Sequence, residues 1–343
     1  MFALATYRIA EPFGSTMRLA AVIDGARIVD LQSAIAHHRE AVLGDPQGEA
    51  IARVRAGGTL QQFIAAGQVC FEETRAAVQS ARAAGLPASV RLSAGERRLS
   101  FALNEVELCC PLMPGKIISA GRNYLDHQLE SNMPKPDDFP RGFLRVNSSL
   151  AGPGALPYPD ATREFDYEAE LAVIIGRPGR DIPVERAMEH VFGYTIHNDL
   201  SARDWQLEER KKGNHLIGKN LDATGPLGPW VVPAEFLPDP MNLELALRVN
   251  GQQRQATNTR LMMYNIAELV SHWSKMTLEP GDLISTGTPA GVAVGHKGDD
   301  AQGYYLKVGD VVEAEVQGIG VLRNVIAPSV GSKADRSVLP GGA

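Results

Sequence analysis

Cysteine is scarce, with three in 343 residues and two of them adjacent at Cys109 and Cys110. So few thiols build no disulfide framework and match no zinc spacing, which points to a reducing compartment and structural thiols. No apolar run approaches the roughly 20 residues needed to span a bilayer. The first residues, Met1 to Arg8, lack a basic segment followed by a long apolar one. The expectation is a cytoplasmic protein with no membrane contact. Basic clusters reach no further than Arg210-Lys211-Lys212 in a chain of net charge −6, which argues against a nucleic-acid partner. No Gly-x-Ser-x-Gly elbow occurs, so a serine hydrolase is disfavoured. Internal repeats and low-complexity segments are absent too.

What remains is an ordinary globular composition, 44% hydrophobic and 22% charged, able to bury a sizeable core. Leu19 to Leu31 reads as two strands around an Asp-Gly turn. Helical pieces follow from about Leu60 to Ala83. A change of composition over Gly85 to Arg97 suggests a link between a small N-terminal α+β module, residues 1–105, and a catalytic domain, residues 106–328. Strand signals are dense in that second part. Leu245 to Gly251 ends in an Asn-Gly turn, Gly281 to Ser285 is a further strand, and Val311 to Val316 faces Val321 to Ile326 across a tight turn. Tyr264 to Met276 reads as an amphipathic helix. The Gly/Pro/Ser-rich stretch 329–343 reads as a flexible tail.

The most informative segment is Asp166-Tyr167-Glu168-Ala169-Glu170-Leu171-Ala172-Val173-Ile174-Ile175. Its apolar run reads as a strand covered on both faces. Side chains alternate along a strand, so Glu168 and Glu170 share a face. Two like charges beside a core are costly unless neutralised, and carboxylate oxygens suit a hard divalent cation. An edge strand with its Glu pair in water fits the same pattern equally well. A helical stretch from Ile182 to His190 then returns the chain through Val191 to Asn198, and Asp199 stands at the end of that second strand. Three carboxylates from two neighbouring strands make an open metal site. His197 shares a face with Asp199, but beside Tyr194 and Ile196 it reads as an interior residue.

Other groups carry weaker signals. Lys116 to Ala120 is a short strand opening into Gly121-Arg122-Asn123-Tyr124-Leu125-Asp126-His127-Gln128-Leu129-Glu130. On a helix His127 and Glu130 touch, and a carboxylate beside an imidazole favours a general base. Such a pair is also common on polar helix surfaces. The proline-rich segment from Pro134 to Gly142 reads as a loop over the site. Lys219, in a loop bounded by glycine and proline, can meet a substrate carboxylate or an oxyanion, with a surface lysine as the default alternative. Thr286-Gly287-Thr288 is a turn whose N–H groups and Thr288 hydroxyl can grip an anion, although many such turns are only turns.

Taken in order from about Lys116 to Ile326, these motifs resemble the fumarylacetoacetate hydrolase superfamily. They are Gly-Arg-Asn-Tyr-x-x-His-x-x-Glu, Asp-Tyr-Glu-x-Glu-Leu, Asn-Asp-x-Ser-Ala-Arg-Asp-Trp-Gln, Gly-Lys-x-x-Asp and Thr-Gly-Thr-Pro-Ala-Gly-Val. The resemblance implies a β-rich α+β fold, a mixed β-sandwich roll, usually as a homodimer. It implies Mg²⁺ or Mn²⁺ on Glu168, Glu170 and Asp199, and a His127–Glu130 dyad that activates water. Lys219 joins the dyad as a catalytic group. Arg122, Tyr124, Gln206, Gly287 and Thr288 become candidates for contacting the substrate, and Arg203 for a supporting role behind them.

Two departures narrow the expectation. Fumarylacetoacetase carries an additional metal-binding Asp where this chain has Ala120, so the acylpyruvase-like and dienedioate isomerase-like branches fit better. Those branches commonly show Phe-x-Lys where this chain has Phe143-Leu144-Arg145, which points to an altered carboxylate clamp. The expected activity is cleavage of the C–C bond of a small β-diketo acid of the acylpyruvate kind, through an enolate that a chelated cation stabilises. Decarboxylation, isomerisation or dehydration of a small 2-oxo acid uses the same enolate and is the alternative. A binding protein without catalysis would have no use for the dyad.

Overall fold

The computed structural model describes residues 1–11, 14–130, 138–296 and 299–329. The expected tail, beyond Ser329, lies outside the described residues, as do positions 131–137 of the proline-rich loop. Every residue of the strand Ala169–Ile175 is buried. Leu171, Val173 and Ile175 pack into one apolar cluster, while Ala172 and Ile174 pack into another. This is the strand covered on both faces that the uninterrupted apolar run predicts. Each large aliphatic side chain buried there contributes about 1.5–3 kcal/mol. A one-residue slip would exchange the two faces, so the register is firmly set, and with it the place where Glu168 and Glu170 emerge.

The strand is antiparallel to Val191–Asn198 on one side and to Leu283–Ser285 on the other. Ile117–Gly121 runs parallel to Leu283–Ser285, and Arg141–Arg145 closes that side of the sheet. On the far side Gly225–Pro233 leads to Ala3–Glu11 through Leu4 opposite Val231, then to Gly14–Ile23, Arg27–Asp30 and Ser100–Ala102. A second, five-stranded sheet contains Gly154–Pro157, Gly320–Ala327, Val311–Val316, Glu244–Val249 and Gln252–Asn258. Asn250 and Gly251 join the last two at φ 52° and 78°. Left-handed backbone at both central positions is what a two-residue hairpin demands. These mixed sheets with flanking helices give the expected β-rich α+β class.

Helices show where the sequence reading was incomplete. Ile182 to His190 forms a 3₁₀ segment, Val184–His190, after Pro183. The expected helix from Tyr264 is confined to Ile266–Trp273, because Asn265 and Glu268 form a reciprocal cap that starts it. Leu31–His37 and Gly48–Ala56 are helices that the sequence reading left unassigned. No described helix is long and apolar enough to cross a membrane.

Candidate active site

Pairing of Ala169 with Asn198 ends the ladder at the site. Beyond it the Asp199 N–H donates to the Glu168 carbonyl at 2.8 Å, and the Asn198 side chain accepts from the Glu168 N–H at 2.9 Å. These bonds hold the two chain ends together and bring three buried carboxylates to one place. Glu168, Glu170 and Asp199 each offer an oxygen within 4.8 Å of the others.

Cations and hydrogen-bond donors hold this charge. The Lys219 ammonium donates to Glu168 Oε2 at 2.7 Å and stands 3.1 Å from Asp199 Oδ2. Arg203 donates to Glu168 Oε1 at 2.5 Å, to Asp166 at 2.7 Å and to the Gln206 side chain at 2.8 Å. Burial alone would raise the Glu168 carboxyl, but Lys219, Arg203 and His127 hold it well below the usual carboxylate range. Glu170 accepts from the Ser285 hydroxyl and, at 2.9 Å, from the Gly287 N–H. Burial and the neighbouring Asp199 and Glu168 push its carboxyl well above the usual range.

The trio suits a hard cation on two counts: its donors are all oxygens, and Asp199 Oδ2 is buried without a properly directed hydrogen bond despite the nearby ammonium. His197 remains outside the trio. Its Nδ1 is 2.8 Å from the Ser285 hydroxyl, and burial lowers its pKa to about 3, so the ring is neutral.

A cavity of about 510 Å³ opens over this centre. Of the expected site residues, Arg122, His127, Glu168, Glu170, Gln206, Lys219 and Thr288 line it. His127 sits on the short helix Leu125–Glu130, with its Nδ1 3.7 Å from Glu130 Oε2. That is contact but longer than a hydrogen bond. Glu130 accepts instead from the Gly291 N–H at 3.0 and 3.1 Å. Gly291 has φ +103°, and a Cβ there would stand 2.0 Å from the Arg254 carbonyl, so only glycine can present this N–H.

Four expected site residues, Glu130, Asp199, Tyr124 and Gly287, do not line the cavity. Tyr124 is fully buried and does not line the cavity. The Gly287 N–H is directed to Glu170, so its contact is with the trio. The Thr288 hydroxyl donates to the Ala169 carbonyl at 3.0 Å and accepts from Gln255 at 2.8 Å.

Arg145 does not reach the cavity. Its buried guanidinium contacts Asp199 from beneath and donates to Ser149 at 3.2 Å and Thr224 at 3.0 Å. It supports a carboxylate of the trio and is no clamp for substrate. Glu209 and Asp166 escaped the sequence reading. Glu209 accepts the N–H groups of Leu216, Ile217 and Gly218 and so caps the helical turn Ile217–Asn220 that carries Lys219. A Cβ on Gly218 would meet the Gln206 backbone at 2.7 Å, which lets this turn press against the helix Arg203–Lys211. Asp166 fixes Arg203 while accepting from the Ala293 and Val294 N–H groups at 2.7 and 3.1 Å. Its position just before the Glu-x-Glu pair was the only available signal.

The model of the fumarylacetoacetate (FAA) hydrolase C-terminal family matches residues 116–327. A mitochondrial oxaloacetate tautomerase of Xenopus laevis is 42% identical over 226 residues, which are 65% of this chain and 69% of that one. The solved fumarylacetoacetate hydrolase of the psychrophile Exiguobacterium antarcticum superposes with a TM-score of 0.68 at 30% identity, covering 95% of this chain and all of that one. A fumarylpyruvate hydrolase from Pseudomonas aeruginosa, solved with Mn²⁺ and pyruvate, gives a TM-score of 0.58 at 30% identity, over 71% and 97% of the two chains.

Proposed function

The chain belongs to the fumarylacetoacetate hydrolase family, and from that premise we propose that it hydrolyses the C–C bond of a small β-diketo acid at a divalent-cation centre. The observation that carries the reading is that His127, 3.7 Å from Glu130, lines the same cavity as Glu168 and Glu170 of the carboxylate trio. Glu168, Glu170 and Asp199 would hold Mg²⁺ or Mn²⁺. When bound, such an ion supplies Lewis-acid polarisation of the oxo acid's carbonyl end.

The chain's own groups account for the rest. His127 takes a proton from water, and Glu130 steadies the imidazolium that results. The water oxygen bonds to the carbonyl carbon distal to the oxo-acid end, and Lys219 offers its ammonium to the oxygen that becomes negative there. The adjacent C–C bond then breaks. Its electron pair passes to the departing 2-oxo acid as an enolate, which takes up a proton. One molecule of water is consumed, giving a carboxylic acid and a 2-oxo acid.

A second reading, keto–enol tautomerisation of a 2-oxo dicarboxylate, is favoured by the 42% identity to a relative named for that activity. It needs His127 only to move a proton from carbon and consumes no water. The test is to incubate the purified protein and Mg²⁺ separately with acetylpyruvate, fumarylpyruvate and oxaloacetate. Release of pyruvate from either diketo acid supports hydrolysis. Enol–keto conversion of oxaloacetate, with both diketo acids left intact, overturns it in favour of the tautomerase.

A further inference from the structure

One cation of the cavity wall has no carboxylate partner among the described residues. Arg210 lies on the last turn of the helix Arg203–Lys211 and lines the cavity. Lys219 and Arg203 are engaged by Glu168, and Arg122 and Arg141 have interactions of their own. Arg210 forms no ion pair with any described residue. Arg210 is exposed to solvent. The surrounding wall, and then the like charges of Arg203, Arg122 and Arg141, outweigh the opposing charge of Glu168 and lower its pKa to about 10. Arg203 already has Glu168 and Asp166, whereas Arg210 has no carboxylate of its own among the described residues, and an anion bound there would offset the repulsion from its neighbours.

Five residues on, His215 lines the same cavity, its ring 4.5 Å from that of Phe143. Its Nε2 is buried and has no hydrogen-bond partner. Burial, then the charges of Lys219 and Arg210, lower its pKa to about 4, so the ring is neutral near pH 7. A neutral imidazole with an unanswered ring nitrogen can donate one hydrogen bond to an anion. A guanidinium fork beside it matches a carboxylate in shape and charge.

We propose that Arg210 and His215 form a subsite for a second carboxylate, at the end of the substrate away from the carboxylate trio, so that the site selects dicarboxylic over monocarboxylic oxo acids. The inference rests on the proposed function only in placing the oxo-acid end at the trio.

Two unreactive ligands of equal chain length separate the contributions. 2-Oxoglutarate carries the second carboxylate and 2-oxopentanoate lacks it, and neither is a β-diketo acid. Their dissociation constants are measured by calorimetry on the Mg²⁺-loaded protein. The wild type should bind 2-oxoglutarate roughly 10- to 100-fold more tightly, the range expected of a hydrogen bond to a charged group. Arg210→Gln should lower the ratio most, by about tenfold or more, and His215→Phe should lower it by about threefold to tenfold. Lys211→Gln, a change on the same helix outside the cavity, should keep the wild-type ratio. A wild-type ratio near one, no measurable binding of 2-oxoglutarate, or an unchanged ratio in Arg210→Gln overturns the subsite. If no diketo acid is hydrolysed but the ratios behave as stated, the proposed reaction falls and the subsite stands.

Discussion

Replacing Lys219 by methionine separates its two assigned roles. Its side chain is 2% exposed and its ammonium stands 2.7 Å from Glu168 and 3.1 Å from Asp199. Breaking a buried ion pair typically costs 3–5 kcal/mol. Here Glu168 keeps Arg203 and Asp199 keeps Arg145, so the lower end, about 3 kcal/mol, applies to the metal-free protein. At about 2 °C per kcal/mol for a chain of this size, Tm should fall by roughly 6 °C. A saturating divalent cation neutralises the same carboxylates and should restore most of that loss. It cannot replace a donor aimed at the developing oxyanion, so kcat should stay down by about 10²–10³-fold. The assay is differential scanning calorimetry with and without saturating Mg²⁺, followed by turnover of the best diketo acid. Full turnover in excess Mg²⁺ refutes the oxyanion role. An unchanged Tm without metal refutes the charge balance drawn for the trio.

Other perturbations probe the remaining groups. Glu130→Gln keeps size but weakens polarisation of His127. Hydrolysis should therefore fall by a sizeable part of the roughly 10²–10⁴-fold attributed to general bases, and decarboxylation of oxaloacetate much less; equal losses measured in parallel assays would show that the dyad serves a shared step. His127→Ala should abolish turnover while titration shows nearly unchanged Mg²⁺ affinity, because the ring is not assigned as a ligand. Arg145→Met should destabilise the metal-free protein by about 3 kcal/mol in urea unfolding, with partial rescue by Mg²⁺, since Asp199 loses its buried partner. Glu170 retains its proton to a pH above the usual carboxylate range, whereas Glu168 and Asp199 are ionised there. Cation binding must displace that proton, so Mg²⁺ affinity should tighten as pH rises and level off above the Glu170 pKa; calorimetry in buffers of different ionisation enthalpy should detect the released proton.

The strands and the trio were legible for one reason. A strand alternates with period two, and an uninterrupted apolar run reads as a strand covered on both faces, so the shared face of Glu168 and Glu170 and the end position of Asp199 follow from counting, although the pattern alone left an edge strand open. The His127–Glu130 contact follows from helical spacing in the same way. Convergence between distant segments was not legible. Glu209 capping the turn of Lys219, Arg145 under Asp199 and His215 against Phe143 each depend on how loops close, and no local period encodes that. Arg145 is instructive because its motif position suggested a substrate contact, while its neighbours Ser149 and Thr224 turn it inward. Tyr124 shows the converse: a residue inside a telling motif is fully buried and lies off the cavity wall.

The central claim is that Glu168, Glu170 and Asp199 bind one divalent cation. Calorimetric titration of Mg²⁺, and of Mn²⁺ in parallel, into the metal-free protein and its Asp199→Asn variant tests it most directly. The account predicts one cation per chain for the wild type. It predicts an affinity lower by about 100-fold or more in the variant, because losing even an outer-shell partner costs 10–100-fold. A wild type that binds no divalent cation, or a variant that binds it as tightly, would contradict the account.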